Sequence, residues 1–213
     1  RNAWLRAERT GEDTRNWWPP DEERKAIATL EAWKEPYPHR RLVILVQVMT
    51  GLRFSEIRAL QRCDVDLDTP GLWIRRAMAR KRIGTPKNKR ARFQVLPRTL
   101  ADELEEWMGH PVDDEPPDET ALLFAGPSGG PLANNSLNRW YRQLAAQAEI
   151  KPISSHGARH TSGSTYAVMG VGQKMIAKLL GHVSTKSTER YTHIQVGDTR
   201  ALVEARWAAL RPR

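Results

Sequence analysis

Apolar residues recur at the spacing of amphipathic helices in the first and last parts of the chain. The first helix should begin in Pro19–Glu23, where proline and acidic residues favour a helix start, and end near Trp33. A second, more apolar helix is predicted from Arg40 to Gly51, with the glycine as its C-terminal cap. Ser55 and Glu56 should open a short third helix.

The middle of the chain has the signals of turns and strands instead. Val65 to Ile74 predicts a turn leading into a strand, and Arg80 to Pro97 predicts a hairpin around Gly84 to Lys89. An acidic helix (Leu100 to Met108) and a short apolar stretch (Leu122 to Phe124) follow. Further helices are predicted over Asn135 to Ala148, Gly157 to Met169, Gly172 to Leu180, Lys186 to Tyr191 and Asp198 to Leu210. The predicted fold class is therefore mainly α with a small antiparallel β-sheet (α+β).

A chain of 213 residues with 39% hydrophobic content can bury one sizeable core. Residues 1–16 are charged and aperiodic, and we expect them to form a linker into one compact domain over 17–195. Residues 196–213 should form a helical tail with an apolar stripe of Ala201, Leu202, Ala205, Trp207 and Leu210. Because the chain begins with Arg1 rather than methionine, we expect it to be a fragment of a longer protein.

The net charge of +9 favours a polyanionic partner, with nucleic acid ahead of a membrane. Ten of the basic residues and no acidic one lie between Arg75 and Arg98, so this segment carries the whole positive excess. Residues 101–120 contain nine acidic residues and no lysine or arginine, and that surface should point away from DNA.

One cysteine, Cys63, excludes an intramolecular disulfide framework and fits a reducing compartment. The longest apolar run, Leu42 to Val46, is far too short to cross a bilayer, and the first residues lack a signal-peptide pattern. We therefore expect a cytoplasmic protein that does not insert into a membrane.

Candidate chemistry begins at His156 and Arg159, three residues apart and therefore on one helix face. Ser154 or Ser155 can cap that helix, whose free N–H groups would also attract an anion. Arginine suits a phosphate because its planar fork donates two hydrogen bonds and keeps its proton. A solvated arginine beside a capping histidine explains this motif alone equally well.

Three further residues are candidates for the same site because of their order along the chain. Arg53 follows a glycine-terminated helix, although it could be a surface arginine paired with Glu56 at i+3. His182 alone would be an ordinary helix C-cap, and Tyr191 alone a packed aromatic side chain. Together with His156 and Arg159 they supply cations, proton carriers and a phenolic nucleophile. These are the functional groups that cleavage of a phosphodiester by a tyrosine requires.

This set resembles the tyrosine recombinase family, which includes phage integrases and Xer-type recombinases, in its catalytic domain. Thr50-Gly51-Leu52-Arg53 with Ser55-Glu56 is similar to the first arginine box of the family. Three motifs are similar to the family's second box: His156-x-x-Arg159-His160, Leu180-Gly181-His182 and Tyr191-x-His193. The sequence departs from the family at Ala158, where leucine is frequent. The resemblance runs from about Trp18 to Ile194. It implies that residues 1–16 are the linker from a separate N-terminal DNA-binding domain, which we expect to be missing from this sequence.

The resemblance implies a division of catalytic roles. Tyr191 would attack phosphorus, Arg53 and Arg159 would neutralise the non-bridging oxygens, His156 would accept or relay the tyrosine proton, and His182 would hydrogen-bond the phosphate. The product would be a 3′-phosphotyrosyl link and a free 5′-hydroxyl, made without metal, ATP or another cofactor. Attack on that link by a second 5′-hydroxyl would complete strand exchange.

The basic segment should hold the general acid for the departing 5′-oxygen. Lys87 matches the family's hairpin lysine best, while Lys89 lies two residues on and would point to the same side of an extended strand. Glu56, His160 and His193 are supporting candidates. Salt-sensitive contacts with the DNA backbone are expected from Arg80, Arg82, Arg90 and Arg92.

The implied partner is double-stranded DNA, and the implied assembly is a homo-oligomer, a tetramer on recombining DNA, with a monomer left open without DNA. The tail at 196–213 would pack either on a neighbouring protomer or on its own domain. Two alternative functions stay open: relaxation of supercoils in the manner of a type IB topoisomerase, and non-catalytic DNA binding on the same fold. The second is disfavoured because each catalytic position holds a competent residue.

Overall fold

A computed structural model describes residues 15–33, 38–79, 82–84, 91–109, 118–181 and 196–210. This part of the chain contains eight helices and two small antiparallel sheets, which confirms the predicted fold class. The helices are α1 (Pro20–Glu31), α2 (Pro38–Thr50), α3 (Phe54–Ile57), α4 (Arg98–Met108), α5 (Ser136–Gln147), α6 (Ser155–Val168), α7 (Gln173–Leu179) and α8 (Val196–Leu210). The strands are β1 (Val65–Asp66), β2 (Gly71–Ile74), β3 (Ala77–Ala79), β4 (Arg82–Gly84) and β5 (Arg92–Val95), with a 3₁₀ turn at Arg62–Asp64.

Helix α2 lies at the centre of the domain. Every residue from Leu42 to Thr50 is buried, and α4, α5 and α6 all pack against this helix. Apart from Gln47, every residue from Leu42 to Met49 is apolar, so this helix is apolar on all sides. Such a helix must be covered by other elements on all sides. The turn that ends the central helix, Gly51 and Leu52, is buried as well, and the half-buried Arg53 follows it directly.

The strands pair differently from the predicted hairpin over Arg80 to Pro97. Strand β5 pairs with β2, placing Phe93 opposite Trp73, while β4 pairs with β3. Within the described residues, the two arms of the expected hairpin thus belong to separate sheets. The burial of Gln94 and Val95 explains the difference, because β5 is drawn onto the core whereas all of β4 is exposed.

Helix α8 packs against α1 and β5 of its own chain. Its buried face consists of Thr199, Val203, Arg206, Trp207 and Leu210. The predicted stripe was wrong in part, because Ala201 and Ala205 are exposed and Leu202 is half-buried. Trp207 and Leu210 lie on the buried face as predicted, but hydrophobicity alone missed the fully buried Arg206 between the other buried positions.

The other helices begin and end within about three residues of their predicted bounds. The predicted helix from Lys186 to Tyr191 lies outside the described residues. None of the helices in the described ranges is long and apolar enough to span a bilayer.

Candidate active site

The backbone before Arg53 is fixed by the end of α2. Gly51 has φ +63°, a conformation that glycine adopts without strain, and it turns the chain out of the helix. The Leu52 N–H donates to Thr50 Oγ1 at 3.2 Å, and the Gln47 amide Nε2 donates to the Leu52 carbonyl at 3.0 Å. Arg53 therefore leaves a rigid turn rather than a free loop.

The two arginine-bearing motifs meet at Gly51. A Cβ atom there would lie 2.4 Å from Leu180 Cδ2, so the glycine permits Leu180 to pack directly on the turn. The Arg159 guanidinium joins the same two segments, since Nη1 donates to the Gly51 carbonyl and Nη2 donates to the Leu180 carbonyl at 2.6 Å. Segments more than a hundred residues apart in sequence are thereby held at one place.

Glu56 lies between two arginines and is 2% exposed. Its carboxylate accepts a hydrogen bond from the Arg53 backbone N–H at 3.0 Å, which caps α3, and a longer one from Arg53 Nη1 at 3.3 Å. Arg92 binds the same carboxylate through both terminal nitrogens, at 3.0 and 2.8 Å. The predicted i+3 pair of Arg53 and Glu56 is present, and Arg92, expected to contact DNA, is engaged within the protein.

The result is a concentration of positive charge. Burial, together with the charges of Arg53 and Arg92, lowers the pKa of Arg159 to about 10, although Glu56 opposes that shift. Arg159 therefore remains protonated at neutral pH, and three guanidinium groups face one carboxylate. Burial would raise the pKa of the Glu56 carboxyl, but hydrogen bonds and charge from Arg92, with a contribution from Arg53, lower it. A surplus of two positive charges suits a phosphate ligand.

Helix α6 presents His156 and Arg159 from its first two turns. Ser154 is the N-cap, its Oγ accepting from the Gly157 N–H at 3.1 Å, as expected from the sequence. His156 is exposed, whereas Arg159 is buried, so the two side chains lie at the rim and at the floor of the same region.

The His156 ring meets the His160 ring edge to face, with centroids 4.6 Å apart. Burial, then the neighbouring charges of His156 and Arg159, lowers the pKa of His160. His160 is therefore neutral at physiological pH and can accept a hydrogen bond beside His156.

Two positioning residues were not found from the sequence. Asn16, which we assigned to the linker, is part of this scaffold: its side chain donates to Ser154 Oγ and accepts from the Ser154 N–H, both at 2.9 Å. Gln47 also donates to Ser155 Oγ at 3.0 Å and accepts from the Tyr141 hydroxyl at 2.9 Å. A lone glutamine within an apolar run was the available signal for Gln47.

Several predicted site residues lie outside the described part of the chain: Arg80, Lys87, Lys89, Arg90, His182, Tyr191 and His193. Arg82 lies in the exposed strand β4. Across the residues that the structure describes, no group of three or more His, Cys, Asp or Glu side chains could hold a metal ion.

Comparison with known proteins identifies a family model, curated relatives and solved structures that this chain resembles. Residues 16–197 match the model of the Phage integrase family. Tyrosine recombinase XerC of Chlamydia trachomatis (serovar L2) is 29% identical over 148 residues, which are 69% of this chain and 44% of that protein. XerC of Staphylococcus haemolyticus is 27% identical over 160 residues, covering 72% of this chain and 48% of the relative. The chain thus spans about half the length of the curated relatives it matches.

Solved structures agree on the fold. The Tn1549 transposon integrase, in complex with a circular intermediate DNA, superposes with a TM-score of 0.67 at 20% identity, covering 93% of this chain and 69% of that one. The XerA recombinase gives a TM-score of 0.65 at 22% identity, with 95% and 66% covered.

Proposed function

Because this chain belongs to the Phage integrase family, we propose that it is the catalytic part of a site-specific DNA recombinase. It cleaves one strand of a duplex by attack of Tyr191 on phosphorus, forms a 3′-phosphotyrosyl link and releases a 5′-hydroxyl. Attack by the 5′-hydroxyl of another strand then releases the tyrosine and joins the strands. The number of phosphodiester bonds is conserved, so ATP is not required.

The observation that carries this proposal is the junction of the two motifs at Gly51. Arg159 bonds to the Gly51 and Leu180 carbonyls, and Arg53 leaves the same turn beside Glu56. Backbone carbonyls hold the Arg159 guanidinium and the Glu56 carboxylate orients the Arg53 guanidinium, so both are positioned beside the Gly51 turn without a ligand. Such preorganised donors stabilise developing charge without reorganising during the reaction.

The charge of the site matches the charge of the transition state. A phosphodiester carries one negative charge, and attack by a tyrosinate adds a second as the pentacoordinate species forms. Three guanidinium groups against one carboxylate leave two positive charges to meet them. Arg53, with its side chain 32% exposed, is the arginine best placed to donate to a non-bridging oxygen.

Proton transfer is assigned to the remaining candidates. The tyrosine hydroxyl, whose ordinary pKa is about 10, must lose its proton at neutral pH, and the exposed His156 would accept or relay it. We assign hydrogen bonding of the phosphate to His182 and protonation of the leaving 5′-oxygen to Lys87, with Lys89 as the alternative. His160 and His193 would support His156 and Tyr191.

The proposed partner is double-stranded DNA, and we expect a homo-oligomer on recombining sites in the cytoplasm. The excess of basic residues between Arg75 and Arg98 supports DNA as the partner.

A trapping experiment tests the assignment of Tyr191. The protein is incubated with a library of labelled, nicked duplexes of randomised sequence, in which cleavage near the nick releases a short fragment carrying the 5′-hydroxyl. Loss of that fragment prevents religation, so the wild type should accumulate an adduct that resists denaturing electrophoresis. Sequencing the captured strands then identifies a cleavable duplex.

Tyr191→Phe is the matched control, because it removes only the nucleophilic oxygen. It should retain DNA binding and form no adduct, a loss of at least a thousandfold in cleavage rate, on the scale of losing a covalent nucleophile. An adduct of equal yield with Tyr191→Phe would refute the assignment.

A further inference from the structure

Arg92 forms a bidentate ion pair with the buried Glu56. It begins β5, and its two terminal nitrogens reach the two oxygens of Glu56 at 3.0 and 2.8 Å, the bidentate arrangement of a strong arginine–carboxylate pair. Its side chain is 17% exposed, compared with 32% for Arg53. A guanidinium held in this way has little freedom to follow a DNA backbone.

The same side chain also contacts the end of α7. Gly181 has φ +62°, and a Cβ atom there would lie 2.3 Å from Arg92 Nε. Gly181 follows Leu180, whose carbonyl accepts from Arg159, and it precedes His182 in the sequence. Arg92 therefore joins β5, α3 and the α7 turn, the three segments that border the candidate active site.

The two arginines that contact Glu56 bind its carboxylate with different strength. Arg92 makes two short bonds to the carboxylate, whereas the Arg53 side chain makes one long bond at 3.3 Å. Arg92 thus supplies most of the counter-charge for a carboxylate that is almost fully buried. Arg53 is oriented by Glu56 and keeps most of its donors for a ligand.

We propose that Arg92 is a positioning residue, which occupies Glu56 so that Arg53 stays available to bind the scissile phosphate. This inference rests on the proposed function and differs from the expectation that Arg92 contacts the DNA backbone. Without Arg92, the buried Glu56 would recruit Arg53, its one remaining arginine partner among the described residues, and the site would lose both a cation and the free donors of Arg53.

The test is the single-turnover cleavage rate at saturating concentrations of the duplex captured by the wild type, measured beside affinity for the same duplex in a Tyr191→Phe background. Arg92→Gln should slow cleavage at least tenfold while lowering affinity less than Arg82→Gln, which removes an exposed charge from the same basic segment. Adding Glu56→Gln to Arg92→Gln should restore several-fold of the lost rate, because no carboxylate remains to capture Arg53.

Arg92→Lys is the second variant, in case Arg92→Gln does not fold. A single ammonium nitrogen cannot reproduce the planar two-nitrogen fork that matches both carboxylate oxygens, so cleavage should fall several-fold, whereas a simple phosphate contact would tolerate lysine. The inference is overturned if Arg92→Gln changes rate and affinity as Arg82→Gln does, if Glu56→Gln gives no recovery, or if Arg92→Lys cleaves at the wild-type rate. Absence of any adduct with the wild type would instead refute the proposed function.

Discussion

At the scale of single residues, Glu56 shows why burial changes the behaviour of an ordinary carboxylate. Its pKa is held below the ordinary value of 4.5 even though burial alone would raise it, because Arg92 and Arg53 favour the charged form. The folded state therefore binds a proton at Glu56 less readily than the unfolded state does. This contribution to stability is complete above about pH 4.5 and is lost as the pH falls through the lowered pKa.

Glu56→Gln should accordingly lower the free energy of unfolding by about 3 kcal/mol at pH 7, the scale for breaking a buried ion pair. The difference between wild type and variant should shrink as the pH is lowered from 5 to 3, because the unfolded wild type then binds a proton at Glu56 that the folded state binds less readily. Urea denaturation across that pH range measures it.

Glu106→Gln, an exposed change of the same kind on α4, is the control and should cost less than about 0.5 kcal/mol at every pH. A difference between wild type and Glu56→Gln that stays constant down to pH 3 would contradict the role given to the charged carboxylate.

Local sequence predicted one partner of Glu56 and missed the other. Arg53 lies three residues away, so helix geometry alone brings the pair together. Arg92 lies 36 residues away, and its contact depends on the way β5 joins β2. Side-chain pairs made by tertiary packing leave no periodic signal in the sequence.

At the scale of elements, a buried ion pair fastens α8 to the rest of the domain. Arg206 and Glu23 are both fully buried, and Arg206 also donates to the Met49 carbonyl at 3.0 Å and to Ser162 Oγ at 3.1 Å. Thr165 on α6 donates to the same Glu23. The last helix is thus tied to α1, to α2 and to the helix that carries His156 and Arg159.

Arg206→Met should destabilise the protein by about 3–5 kcal/mol, because it leaves the buried Glu23 without its cation. The double variant Glu23→Leu with Arg206→Met removes both charges and should cost less than the single variant. Free energies of unfolding from urea titrations give both values.

Arg200→Met, on the same helix and only half-buried, serves as the control and should cost about 1 kcal/mol or less. Equal losses from the two arginine variants would show that the buried pair does not fasten α8.

Element bounds could be predicted from sequence because caps, glycines and helical periodicity are local. Strand pairing could not, since the segment around Gly84 satisfied the pattern of a hairpin while the burial of Val95 drew β5 to another strand. The face of α8 was mistaken in part for the same reason: an arginine is counted as polar until its buried partner is known.

At the scale of the whole molecule, a cluster of positive charge in the sequence is not the same as positive charge available to DNA. Arg75 and Arg76 both pair with the buried Asp64, and Arg92 pairs with Glu56. Arg82 is exposed in β4. The described part of the basic segment therefore offers fewer cations to a phosphate backbone than its composition indicates.

Salt dependence distinguishes the two kinds of arginine. For binding to duplex DNA of arbitrary sequence, Arg82→Gln should reduce the slope of log K against log salt concentration by about 0.9 in magnitude, the value for one lost phosphate contact. Arg76→Gln should change the slope by less than half of that, because Asp64 already balances its charge. Fluorescence anisotropy across a salt series measures both, and equal slopes for the two variants would contradict this distinction.

The pairing of Glu23 with Arg206 also determines how early the core can pack during translation. The partners are 183 residues apart, so Glu23 is synthesised long before its cation. At roughly 5–20 residues per second, about 10–40 s separate the two on the ribosome. During that interval Glu23 lacks Arg206, the cation that balances its charge in the folded core. The site helix α6, joined to Glu23 through Thr165, reaches its final packing only after Arg206 has been translated.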